Sequence, residues 1–239
     1  MVKLEDFLYQ TTKEIMSGWD EEDIYAVSFF VYSNEMFCFR GYDNVSTFAI
    51  SYNTESDCDN AGPHAEERWN YAFWRQDEWH LIEPDENSLG MQLLFDWYQE
   101  QGITNIGYEG ADTPDGPVGF PELVRLVADV ARKIQEEGFL KEKFSRPIPI
   151  LIHDLEYCDC TIKATEYANP HGEAADFLYG NWETESAPVP FAAESALSVA
   201  RNFAEELSRN PEKMAQFYAN SPGLSKEFID EMMKKVLNS

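Results

Sequence analysis

The sequence predicts an α+β domain, built as a mainly antiparallel sheet flanked by helices and continued at its C-terminal end by a helical extension. Aromatic and β-branched residues with a two-residue period crowd between positions 24 and 54, whereas most later segments repeat near 3.6 residues. A 239-residue chain that is 44% apolar and 14% aromatic has ample material for a core despite its charge.

The elements follow in order. Leu4, Phe7, Leu8, Ile15 and Met16 mark an opening helix that Gly18 should end. "DIYAVSFFVYS" and "EMFCFRGY", on either side of Asn34-Glu35, read as a hairpin, and "STFAISYNT" as a third strand. "SDCDNAGP" is a loop. Trp69, Trp74 and Trp79 are five residues apart, so they cannot share one face of a regular element, and they are expected to seal the sheet edge against a helix. Arg68 and Arg75 should pair with neighbouring carboxylates. "SLGMQLLFDWYQEQG" is a helix capped by Ser88 and closed by Gly102, with Leu94, Trp97 and Tyr98 on its buried stripe.

Glycines and prolines between 104 and 119 predict a loop. "PELVRLVADVARKIQEEG" is the clearest helix, with Pro121 in the first turn, a stripe of Leu123, Leu126, Val127, Val130 and Ile134, and Gly138 past its end. The wholly apolar "PIPILIHD" predicts a central strand. Two short helical patterns, "TIKATEYAN" and "EAADFLYGNW", come next. Residues 1–185 are thus expected to form the α+β domain. After a hinge at Pro188 and Pro190, residues 186–239 are expected to form helix packed on the same body, its last helix capped by Ser225 and stapled by Leu224 and Ile229.

Charge carries the clearest functional signal. Eighteen basic against 44 acidic residues give −26. Residues 1–120 hold 5 basic and 24 acidic residues, or −19, and no lysine lies between Lys13 and Lys133. Such a field repels phosphate backbones and anionic lipid, which argues against nucleic-acid and membrane partners, and it speeds encounter with a cationic protein. The candidate interaction surface comprises Glu21, Glu22, Asp23, Asp57, Asp59, Glu66, Glu67, Asp77, Glu78, Asp85 and Glu86. No apolar run is long enough to span a bilayer, and "MVKLEDFLYQ" has acids where a secretory leader has cations, so a cytoplasmic location is expected. Cys38, Cys58, Cys158 and Cys160 are too few and too unevenly placed for a disulfide framework and read as thiols.

One stretch could carry chemistry. "IHDLEYCDC" gathers His153, Glu156, Cys158 and Cys160, which could make a metal-binding protein or a metal-dependent enzyme. If the strand continued, however, His153 would face away from Glu156, Cys158 and Cys160, and Cys-x-Cys has no second ligand pair downstream. The simpler expectation is that the strand ends at His153 and that Asp159 or a nearby acid caps a helix beginning near Thr161. His64-Ala65-Glu66 matches half of a zinc deaminase signature whose P-C-x-x-C half is missing. The chain has no G-x-S-x-G, H-E-x-x-H, phosphate-loop or dinucleotide fingerprint. A non-catalytic protein without a cofactor is therefore the first expectation.

Several segments occur in an order that resembles an uncharacterised bacterial domain family. They are "IYAVSFFVYS", "EERWNYAFW", the stretch from "GFPELV" to "LIHDLEY", and "ATEYANPHGEAADFL", with Tyr25-Ala26, Arg68-Trp69, Trp74 and Arg146 at corresponding places. The resemblance covers about residues 4–185. Acidic families of this kind look like immunity proteins of bacterial toxin systems, so the resemblance implies inhibition of a cationic toxin. The "EYCDC" stretch and the helical extension depart from the pattern.

Overall fold

A computed structural model describes residues 2–75, 78–107, 116–155 and 157–180, together with Lys213, Met214, Tyr218 and Lys226. The chain divides into two compact units, Met1–Trp182 and Glu183–Ser239. In the second unit the four described residues are helical, and the Lys226 ammonium lies 5.1 Å over the Tyr218 ring. The expected hinge, the Ser225 cap, the Leu224–Ile229 staple and the packing of residues 186–239 lie outside the described residues.

The first unit is α+β, with a four-stranded sheet flanked by helices. Its strands are β1 (Ile24–Glu35), β2 (Val45–Thr54), β3 (Trp79–Ile82) and β4 (Ile150–His153), in the order β3-β2-β1-β4. The β3-β2 and β2-β1 pairs are antiparallel, while β4 joins β1 in parallel. Alternation in β1, β2 and β4 sends Val27, Phe29, Val31, Phe48, Ile50, Ile150 and Ile152 to one face. That face is covered by α1 (Leu4–Ser17), α3 (Leu89–Glu100) and α4 (Phe120–Glu136).

These helices form for the reasons their sequences predict. Gly18 closes α1, the Ser88 hydroxyl accepts from the Met91 amide at the start of α3, and Pro121 sits in the first turn of α4. Gly119 precedes α4 at φ +98°, where its amide donates to Glu122 and its carbonyl accepts the Tyr98 hydroxyl. Gly90 lets α3 lie directly on β3, since a Cβ there would meet the Leu81 carbonyl oxygen at 1.8 Å. Two shorter helices, α2 (Glu66–Trp69) and α5 (Phe139–Phe144), precede β4, and α6 (Asp159–Ala168) and α7 (Ala175–Tyr179) follow it.

Two expectations are corrected. The partner of β1 in the hairpin is "STFAISYNT", not "EMFCFRGY". Residues 36–44 curl instead, with Arg40 and Gly41 at positive φ and Phe39 and Tyr42 bonding each other's backbone. Phe39 then packs edge-on against Phe95 of α3 at 4.9 Å. The second correction concerns β4, which is an edge strand, not a central one. It tolerates a wholly apolar sequence because α6 covers its outer edge. Thr165 Oγ1 and the Asn169 amide group bond the N–H and C=O of Ile152 and Ile150 as a neighbouring strand would.

Candidate functional site

Sheet register decides where the acidic residues emerge. Ile24 pairs with Thr54, so Glu21, Glu22 and Asp23 before β1 meet Asp57 and Asp59 after β2 at one end of the sheet. Trp79 pairs with Ile50, which brings Glu78 in at the same end. Ile82 pairs with Phe48, so Asp85 and Glu86 leave at the opposite end. Glu66 and Glu67 ride on α2, whose Arg68 reaches back to the first group through Glu55. Asp77 lies outside the described residues. The surface expected from sequence is thus brought together in part, and Asp85 and Glu86 do not belong to it.

Three arginines organise this acidic end. Arg68 makes a two-pronged pair with Glu55 at 2.5 and 2.8 Å, and Arg146 approaches the same carboxylate at 3.8 Å. The Arg68 hydrogen bond holds the Glu55 carboxyl below its ordinary range. Arg75 pairs with Asp57 at 2.8 Å. Burial works against the Asp57 charge, and bonds from the Thr54 amide and hydroxyl and from Arg75 outweigh it, leaving its carboxyl more acidic than usual. The Tyr52 hydroxyl bonds Glu21 and lowers that carboxyl too, while burial and Glu21 push the tyrosine up to about 12. Asp23 accepts from the Ser56 amide and hydroxyl, which ties the strand entry to the strand exit.

Glu22, Asp59 and Glu78 are exposed. They project from an end held rigid by the arginines, whose charges are taken up by Glu55 and Asp57. Glu55 is the member sequence reasoning missed. The scarcity of arginine in this half of the chain was the available signal, because each cation so placed must find an acid.

The stretch from His153 to Cys160 is built differently. His153 ends β4 on the second face of the sheet and is fully buried among Phe30, Tyr71, Trp74 and Tyr157. Its Nε2 lies 2.7 Å from Ser28 Oγ and its Nδ1 2.8 Å from the Asp154 carbonyl oxygen. A neutral ring satisfies both contacts, with Nδ1–H donating to the carbonyl and the Ser28 hydroxyl donating to Nε2. Burial pushes its pKa down to about 4. Both nitrogens are occupied, so this is a satisfied core histidine and offers no free lone pair to a metal.

Cys158 and Cys160 lie past the end of the strand. Cys158 is the N-cap of α6 and Asp159 its first helical residue, so the helix starts earlier than Thr161 and a thiol occupies the position expected for an acid. Thr161 Oγ1 accepts from the Cys158 amide at 3.2 Å and donates to its carbonyl at 3.0 Å. Glu156 lies outside the described residues. Among the described residues no group of three or more His, Cys, Asp and Glu side chains could hold a metal ion. Nor is any helix among them long and apolar enough to cross a membrane.

Compared with protein-family models, with curated proteins and with solved structures, the chain matches none.

Proposed function

We propose that the chain is a non-catalytic binding protein that presents the acidic end of its sheet to a cationic protein. What supports this reading is the register that gathers Glu21, Glu22, Asp23, Asp57, Asp59 and Glu78 at one end of the sheet. Arg68 and Arg75 are already paired with Glu55 and Asp57, so the exposed carboxylates Glu22, Asp59 and Glu78 remain for a partner. Because the backbone that carries these groups is tied by the Arg68–Glu55 and Arg75–Asp57 pairs, the order lost on binding is mainly that of their own rotamers. Association of this kind is fast and salt-sensitive. An immunity protein that covers a cationic bacterial toxin is the specific form of the proposal, and that form rests on the resemblance of the segments alone.

The test is co-purification of the tagged chain from the cells that carry it. A cationic protein is expected to be retained at low salt and released at roughly 0.5 M salt, where screening lengths fall to a few Å. Glu22→Lys with Asp59→Lys and Glu78→Lys should abolish retention, whereas Asp85→Lys with Glu86→Lys at the other end should preserve it. Retention indifferent to salt and to both sets of substitutions would refute the proposal.

A further inference from the structure

The Cys158 and Cys160 sulfurs lie 3.0 Å apart across the first turn of α6, in contact and within a short approach of a disulfide bond near 2.05 Å. Beside Cys160 runs a groove of about 400 Å³ between α4 and α6. Cys160 lines it together with Pro121, Val124, Arg125, Lys163 and Tyr167. Both thiols are only partly buried.

We infer that Cys158 and Cys160 are a redox-active dithiol that exchanges with small anionic disulfides held in the groove between α4 and α6.

Cys158 is the attacking sulfur. Its position at the N-cap of a ten-residue helix places it where backbone N–H groups favour negative charge. The Cys160 S–H, then Thr161, further stabilise the thiolate against its partial burial, and its pKa falls to about 5. The charged groups that line the groove beside Cys160 are Lys163 on α6 and Arg125 and Asp129 on α4, and Asp159, between the two cysteines, lies 3.7 Å from Lys163. Arg125 and Lys163 are cations in a strongly acidic chain, and they suit a disulfide whose substituents carry carboxylates.

The exchange balances as follows. Cys158 thiolate attacks one sulfur of R–S–S–R, forming a Cys158–S–S–R bond and expelling RS⁻. Cys160 gives its proton to solvent and attacks Cys158 Sγ, closing the intramolecular disulfide and expelling the second RS⁻. The two released thiolates take up protons, so protein dithiol plus R–S–S–R becomes protein disulfide plus two RSH. A single residue, Asp159, separates the two cysteines, so the ring closed is small.

The test uses the full chain with glutathione disulfide as the anionic probe and hydroxyethyl disulfide as the neutral one, followed by alkylation and peptide mass. Cys38, the exposed cysteine, serves as internal reference. In the wild type, positions 158 and 160 should lose their thiols together, as one disulfide, about tenfold or more faster than Cys38 reacts. Cys160→Ser should accumulate a mixed disulfide on Cys158, and in Cys158→Ser position 160 should react no faster than Cys38. Arg125→Glu with Lys163→Glu should slow the glutathione reaction several-fold and leave the hydroxyethyl reaction unchanged. Reaction at 158 no faster than at 38, or mixed disulfides at both positions without closure, would overturn the dithiol assignment. Equal slowing with both probes would overturn the assignment of the groove.

Discussion

The two faces of the sheet are covered in opposite ways. On the first face Val27, Phe29, Phe48, Ile50, Ile150 and Ile152 meet three amphipathic helices. On the second, Ser28, Ser51, Asn53 and His153 meet the irregular segment around α2 and the turns leading into α6 and α7. A helix satisfies its own backbone, so the cover it provides can be purely apolar. An irregular segment brings unpaired N–H and C=O groups with it, and each must find a side chain. The second face supplies them. Tyr25 and Trp74 both donate to the Arg68 carbonyl, Tyr157 donates to that of Trp69, and Asn53 accepts from the Arg75 amide while Ser51 donates to its carbonyl. Polar residues on a buried sheet face are thus the counterpart of a cover that is not helical.

The contrast can be broken most directly on the dry face. Phe48 is fully buried and packs edge-on against Phe29 at 5.3 Å. Phe48→Ala should cost about 4 kcal/mol, read from the urea midpoint at constant slope, because the helices cannot collapse fully into the space left. A loss near 1 kcal/mol would mean that the helices do collapse into the space left. The edge of β4 is the next place to probe. Asn169 uses its whole amide group there, bonding Ile150 N and O, the Thr165 carbonyl and the Gln135 side chain. Asn169→Ala leaves buried donors and acceptors without partners and should cost about 3 kcal/mol, with faster amide exchange at Ile150. Unchanged exchange there would show that the edge is held by something other than Asn169.

The same contrast explains what could be read from the sequence. The helices over the dry face announce themselves, since Leu123, Leu126, Val127, Val130 and Ile134 repeat at the helical period and Ser88 and Gly138 sit where a cap and a stop belong. The other face has no such period. Phe37 and Phe39 look like strand residues because aromatic β-propensity describes a half-buried surface and not a backbone preference, and the chain instead curls Phe39 onto α3. Hydropathy marks β4 as buried but says nothing about which side chains satisfy its outer edge, because Thr165 and Asn169 bond it from a helix that begins six residues later. For the acidic end, charge was legible and position was not: pairing Ile24 with Thr54 and Ile82 with Phe48 sorted the carboxylates into two ends. Cys158 and Cys160 were visible as ligands, yet their mutual contact depends on a helix starting at Asp159, earlier than the spacing suggested.

The polar face should reveal itself through pH. In the folded chain burial holds His153 neutral down to about pH 4, whereas an unfolded histidine takes its proton near pH 6.5. Between those values the unfolded state binds more protons, so the contribution of this residue to stability falls as pH drops below about 6.5 and is constant above it. The loss attributable to this residue is about 2 kcal/mol by pH 5, approaching about 3 kcal/mol near pH 4. Glu55 and Asp57 act lower. Their pKa values are depressed on folding, so their contribution is present above the unfolded carboxylate range and is lost as pH falls below that range and through their folded values. The Cys158 thiol, its pKa lowered to about 5 on folding, also loses its contribution as pH falls through this window, so denaturant titrations between pH 7.5 and pH 5 isolate the histidine when made in a Cys158→Ser background. In that background His153→Gln keeps an acceptor for the Ser28 hydroxyl but has no proton to gain, so its stability should be nearly flat across that window. A Cys158→Ser parent equally flat would mean that the ring can be protonated in place, and that the polar cover of the second face admits water where the helical cover of the first does not.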